Sequence, residues 1–188
     1  MALVSTPITQ LFNIQHPVLL AGMGHTAGSD LVAAVSNAGG LGVLGGLGYT
    51  PQMLREAIQE VKQKLRSPTL PFGVDLLLPQ LGSSARKTNT DYTKGALDQL
   101  VDIIIDEKVA LFVSAVGTPP KHVVDRLHDA GIFYMVRRLE PLKETCWIIS
   151  IDVEANHVAA QNMVGHPKVC SSEQNHGHAP FHHYGLND

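Results

Sequence analysis

The stretch "SNAGGLGVLGGLGYTP", residues 36–51, decides how the chain is read. It contains Gly40-x-Gly42-x-x-Gly45, the spacing of a dinucleotide-binding loop. Such a loop must follow a strand and open a helix, so that backbone N–H groups at the helix start meet the pyrophosphate. Here the context is reversed. Upstream, "LVAAVSNA" has helical spacing, with Ser29 and Asp30 as candidate caps and Gly39 where a left-handed C′ residue belongs. Downstream, the next helix begins only at Thr50-Pro51, an N-cap followed by proline at the first helical position. The glycines therefore lie at a helix end and inside a strand. Glycine in a strand marks a place where a flat ligand or another backbone comes close.

Working outward, "PVLLAGM" (17–23) reads as a short buried strand before the glycine stretch. Met53, Leu54, Ala57, Ile58, Val61 and Leu65 form one apolar stripe at helical spacing, and Glu60 and Lys64 an i,i+4 pair on the other side. "FGVDLLLP" (72–79) is the third strand, followed by a long polar loop from Gln80. "ALDQLVDIIIDEK" is a helix and "ALFVSAVG" (110–117) the fourth strand. Thr118-Pro119 starts another helix, ending at Gly131, and "IFYM" (132–135) opens the fifth strand. "GLGYTP" and "AVGTPP" repeat the order strand, glycine, Thr-Pro, helix. Continuous apolar strands alternating with amphipathic helices imply parallel βα units with both sheet faces covered.

Four segments in this order, "HPVLLAGMG", "AAVSNAGGLGVLGG", "PFGVDLLLPQ" and "LFVSAVGTPPKHVVDRLHDAGI", resemble the nitronate monooxygenase (2-nitropropane dioxygenase) family from about Pro7 to Met135. The resemblance implies an α/β fold: the N-terminal half of a flavin-binding (β/α)8 TIM barrel, truncated, with an irregular C-terminal tail. It implies FMN as cofactor, and an alkyl nitronate and O2 as substrates, converted to a carbonyl compound and nitrite. Flavin-dependent enoyl reductases are related barrels, so that activity is the alternative within this class.

In such barrels the reactive face lies just past each strand. The resemblance assigns Ala21, Gly22, Met23 and Gly24 to the flavin ring, where small residues allow close approach. Asp75, inside an apolar strand, joins them as a cofactor-side residue at the barrel mouth; the alternative is a hydrogen-bonded strand-end carboxylate. Lys87 in the long loop either meets ligand charge or is solvated, and His25 reads as an ordinary polar loop residue. No catalytic residue is assigned. The family's catalytic histidine lies in a Gly-Gly-His motif that does not occur in these 188 residues, and the flavin phosphate is held mainly by loops of the second half. A complete barrel takes about 250 residues. The expectation is therefore a chain with impaired nitronate oxidation, or an inactive, truncated or mis-spliced fragment.

The part after residue 140 differs in composition. It holds both cysteines, the only tryptophan, and six of the ten histidines: His157, His166, His176, His178, His182 and His183. The resemblance implies that the fifth strand continues as Met-Asn-Met-Val-Gly-x-Pro-Lys. Here "FYM" ends at Met135 and "NMVGHPK" starts at Asn162. Val136-Arg137 can be encoded by GTAAGA and Gln161 by CAG, the edges of an intron. The expected organisation is 1–135 as a partial barrel domain, 136–161 as an atypical insert translated from a retained intron, and 162–188 as a family remnant followed by a His-rich tail. The tail histidines lack a recognisable metal-ligand set, so no metal is expected.

Composition narrows the rest. The chain is 44% hydrophobic and 16% charged with net charge -3, which supports a packed core and offers no basic surplus for nucleic acid. No run is apolar for long enough to span a bilayer, and the start lacks the pattern of a signal peptide. Cys146 and Cys170 give no disulfide framework. A cytoplasmic enzyme without nucleic-acid or membrane partners is expected; no oligomeric state follows.

Overall fold

The computed structural model describes residues 4–79, 90–137 and 151–152. Lys87 and the six C-terminal histidines lie outside them, as does most of 136–161 and all of 162–188. The elements are α1 (Pro7–Phe12), α2 (Ser29–Asn37), β1 (Gly42–Gly45), α3 (Pro51–Lys64), β2 (Phe72–Leu78), α4 (Leu97–Asp106), β3 (Leu111–Val116), α5 (Lys121–Asp129), β4 (Phe133–Arg137) and β5 (Ile151–Asp152). The sheet order is β1-β2-β3-β4-β5. β1 to β4 are parallel throughout, and β5 joins β4 antiparallel, Tyr134 opposite Asp152 and Met135 opposite Ile151. This is the expected α/β arrangement, a partial parallel sheet with flanking helices; the described strands do not close into a barrel. No helix among the described residues is long and apolar enough to cross a membrane.

Side-chain alternation along the strands separates two cores. Phe72, Val74, Leu76 and Leu78 of β2, with Phe112 and Tyr134, face the helices and pack on Val32, Leu54, Ile58, Val61, Leu100, Ile104, Val123 and Leu127. The other face carries Val43, Leu111, Val113 and Met135, closed at one end by Phe12 and Ile14. Phe12 meets Phe133 edge-on at 5.2 Å. α1 thus plugs the inner face near the N-terminal ends of the strands, so this part of the sheet is covered.

Several sequence expectations hold. Thr50 caps α3, its Oγ1 accepting from Met53 N at 3.3 Å, with Pro51 first in the helix. Gly39 has φ +88 past the end of α2. Lys64 bonds Glu60 at 2.6 Å. Three differ. The strand expected over 17–23 shrinks to a single parallel bridge, Leu19 to Leu41. Pro17 brings no donor, and beyond Leu41 the Gly45 N–H is taken by the Ala27 carbonyl at 3.0 Å. Gly28, not Ser29 or Asp30, is the N-cap of α2. α5 begins at Lys121 after Pro120, not at Thr118. Thr118 and Pro119 each precede a proline, which disfavours helical ψ at both.

The glycines of 40–46 serve the approach of neighbouring backbone. A Cβ on Gly42 would overlap the Val32 carbonyl, so α2 lies directly on β1. A Cβ on Gly45 would lie 2.7 Å from both N and O of Gly24.

Candidate functional site

The chain leaves the Leu19 bridge and turns at Ala21–Ala27. Met23 O accepts from Thr26 N at 2.8 Å and from Ala27 N at 3.0 Å, making a compact turn with Gly24 at φ +31. Gly45 N donates to Ala27 O at 3.0 Å, and Gly46 N donates to Asp75 O at 2.8 Å. These bonds anchor the turn across the C-terminal ends of β1 and β2. The glycine strand lets it sit there, since any side chain at 45 would occupy the place of Gly24.

Asp75 is 4% exposed and lies opposite Gly45 and Val113 in the sheet. Its side chain fills the space that a side chain on Gly22 would need. A Cβ there would overlap the Asp75 Cβ and lie 2.5 Å from Oδ2 and 2.7 Å from Cγ. The structure therefore brings together Gly22 and Asp75, and sets Gly24 on Gly45. Ala21 and Met23 face outward, Met23 58% exposed, and Gly24 is half-buried. His25 is exposed. The close approach that glycine permits at 22 is to Asp75. Sequence reading placed both residues at the mouth and missed their contact.

Ala21, Met23 and the Leu47 side chain beside Gly24 leave an apolar, sparsely substituted platform at the strand ends. That chemistry fits the edge of a planar, largely apolar ring. An open groove of about 400 Å³, between α3 and α4, is lined by Pro51, Gln52, Arg55, Gln99, Asp102 and Ile103. It lies on the outer helical layer and holds none of these residues. Among the described residues no three His, Cys, Asp or Glu side chains gather as a metal site.

A partial parallel sheet with helices outside is the arrangement of a truncated TIM-barrel-like fold of the flavin-binding kind. The nitronate monooxygenase family profile matches residues 5–138, and the chain belongs to that family. It is 35% identical over 126 residues to the (3aS,4S,5R,7aS)-5-hydroxy-7a-methyl-1-oxo-octahydro-1H-indene-4-carboxyl-CoA dehydrogenase of Mycobacterium tuberculosis, covering 67% of this chain and 30% of that protein. A probable nitronate monooxygenase of Staphylococcus haemolyticus is 47% identical over 72 residues, 38% of this chain and 19% of the relative. FabK from Thermotoga maritima superposes with a TM-score of 0.56 at 34% identity, covering 71% of this chain and 37% of FabK. The chain thus spans about a third of the length of such relatives.

Proposed function

We propose that the chain forms the first half of an FMN site in an enzyme that oxidises alkyl nitronates with O2 to a carbonyl compound and nitrite. The observation that carries this reading is the Gly22–Asp75 contact, which seats the Ala21–Gly24 turn at the strand ends within the family-matched region. Ala21, Gly22, Met23 and Gly24 would hold the ring, with Met23 supplying apolar contact. Asp75 acts on the turn from beneath, fixing its height above β2. The FMN, when bound, supplies the redox chemistry; the protein supplies position and field. The anionic nitronate is the substrate class, and O2 the co-substrate.

Titration of the chain with FMN, followed by flavin fluorescence, tests the site. Binding is expected for the native sequence and its loss for Gly22→Val, whose side chain would collide with Asp75 and raise the turn. Equal binding by both would refute the assignment. No nitronate-dependent nitrite release is expected from these 188 residues alone, which lack the family's Gly-Gly-His motif. A second reading, a flavin-dependent enoyl reductase relative, draws on the 35% identity to a carboxyl-CoA dehydrogenase. Oxidation of NAD(P)H rather than nitronate turnover in an active form would favour it.

A further inference from the structure

The sheet has two edges, and they differ. On the β4 side, β5 pairs antiparallel with Tyr134 and Met135 and holds that edge. On the β1 side the outermost segment is residues 18–20. Leu41 N donates to Val18 O and Leu20 N donates to Leu41 O, both at 2.9 Å. Alternation along an extended segment turns the Leu19 N–H and C=O away from β1, and among the described residues neither has a hydrogen-bond partner. An edge of this kind is a template for another strand unless a charge, a proline or a covering element blunts it. The run "VLLAGMG" (18–24) contains no charge and no proline.

The helix beside this edge is apolar on the same side. A Cβ on Gly40 would lie 2.9 Å from Val18 O and 3.1 Å from Val35 Cγ1, so Val35 of α2 adjoins the edge. Leu31 stands one turn before Val35 on the same face. The polar side chains of α2 are engaged on the other flank, toward α3. Lys64 Nζ meets Asp30 at 2.7 Å and Ser29 Oγ at 3.2 Å, and Asn37 Nδ2 donates to Lys64 O at 3.0 Å. Leu20 packs with the helices, and Val18, two residues earlier, shares its side. Val18 is 56% and Leu31 39% exposed, and Leu20 and Val35 are half-buried. These apolar side chains line an uncharged strip beside a free edge.

We propose that this strip is an interaction surface for a second copy of the chain. A two-fold axis beside Leu19 pairs the two edges antiparallel, each Leu19 N–H donating to the C=O of the other Leu19. It sets Val18, Leu20, Leu31 and Val35 of one copy against those of the other. The second copy fits because the surface is self-complementary: each edge supplies one donor and one acceptor, and no charge on the strip meets its like. The other edge decides how far association goes. Head-to-tail growth needs a free β4 edge, and β5 occupies it, so association stops at a dimer. The strip is small for an interface, which gives a weak dimer with Kd on the order of 0.1 mM. None of this depends on the flavin reading.

Sedimentation equilibrium of the 188-residue chain tests the surface, over a range from about 5 to about 500 µM that brackets such a Kd. The native chain should pass from monomer to dimer. Leu31→Asp and Val18→Asp place a carboxylate on the strip opposite its own copy, and each should weaken the dimer at least about tenfold. Met53→Asp changes an exposed apolar residue of α3, away from the strip, and should leave association unchanged. Strand pairing is read separately, since exchange of the Leu19 amide with deuterium should slow by at least about twofold between the lowest and highest concentrations. A monomer over the whole range, growth beyond a dimer, or a dimer that both aspartate variants leave intact overturns the proposal. A Leu19 amide whose exchange is independent of concentration overturns the edge pairing. Should circular dichroism show the aspartate variants unfolded, the Leu19 amide of the native chain decides alone.

Discussion

Replacing Gly22 by alanine adds one methyl group at a place where Asp75 already stands. The new Cβ would overlap the Asp75 Cβ and lie 2.5 Å from Oδ2, whereas ordinary contact begins at 3.4 Å. One side must move by about 1 Å. Asp75 cannot, because β2 is paired on both flanks, Asp75 opposite Gly45 and Val113. The turn must rise, which strains the bonds from Thr26, Ala27 and Gly45. Overpacking of this kind destabilises by about 1–3 kcal/mol. For a folded unit of this size that lowers the unfolding midpoint by roughly 3–15 °C, read by circular dichroism. The companion variant is Asp75→Gly, which removes the obstructing Cβ. In Gly22→Ala/Asp75→Gly the clash is gone, so the double variant should be more stable than the sum of the single effects by about 1–2 kcal/mol. Additivity within about 0.5 kcal/mol would refute the contact.

Three further outcomes follow from the same geometry. Glu107, 8% exposed, accepts from Lys62 at 2.7 Å, Gln59 at 2.8 Å and Arg55 at 3.1 Å, tying α3 to the end of α4. Burial pushes its carboxyl up, but the hydrogen bonds from Lys62 and Gln59 and the charges of Lys62 and Arg55 outweigh this and hold it below the ordinary value of 4.5. A depressed folded-state pKa gives stability that is present above the unfolded value and lost as pH falls through the folded one. The thermal midpoint of Glu107→Gln should accordingly fall less than that of the native chain between about pH 5 and about pH 3, and an equal fall would count against the clamp. Gly42→Ala places a Cβ on the Val32 carbonyl, where no side chain can yield; its destabilisation, by urea titration, should equal or exceed that of Gly22→Ala. Thr50→Ala removes the acceptor for Met53 N and should destabilise by about 1 kcal/mol, whereas Thr50→Ser should retain most of it.

What could be read from sequence was carried by short-range signals. Thr50-Pro51 announces α3 because cap and first-turn proline act within a few residues. The run "FGVDLLL" announces β2 because a strand covered on both sides is apolar on both. Thr118-Pro119 carries a similar signal and misleads, since the second proline shifts the helix start to Lys121. The strand at 17–23 had the right composition but not the partners. Its pairing ends at Leu41 because the Gly45 N–H goes to Ala27, a competition between residues that no local window contains.

The glycine pattern shows why such motifs misread function. Gly40-x-Gly42-x-x-Gly45 matches a phosphate loop because both need backbone without side chains. What differs is the occupant of the vacated space. At Gly42 it is the backbone of α2; at Gly45 it is Gly24; at Gly22 it is Asp75. None of these spaces is left for a ligand. The glycines nevertheless bear on function, one step removed. By admitting neighbouring backbone and the Asp75 side chain, they let a turn with almost no side chains of its own lie across the ends of β1 and β2. The part of that turn left uncovered is Ala21 and Met23. The spacing of the glycines therefore reports how the site is seated, and the residues that they seat report what it can hold.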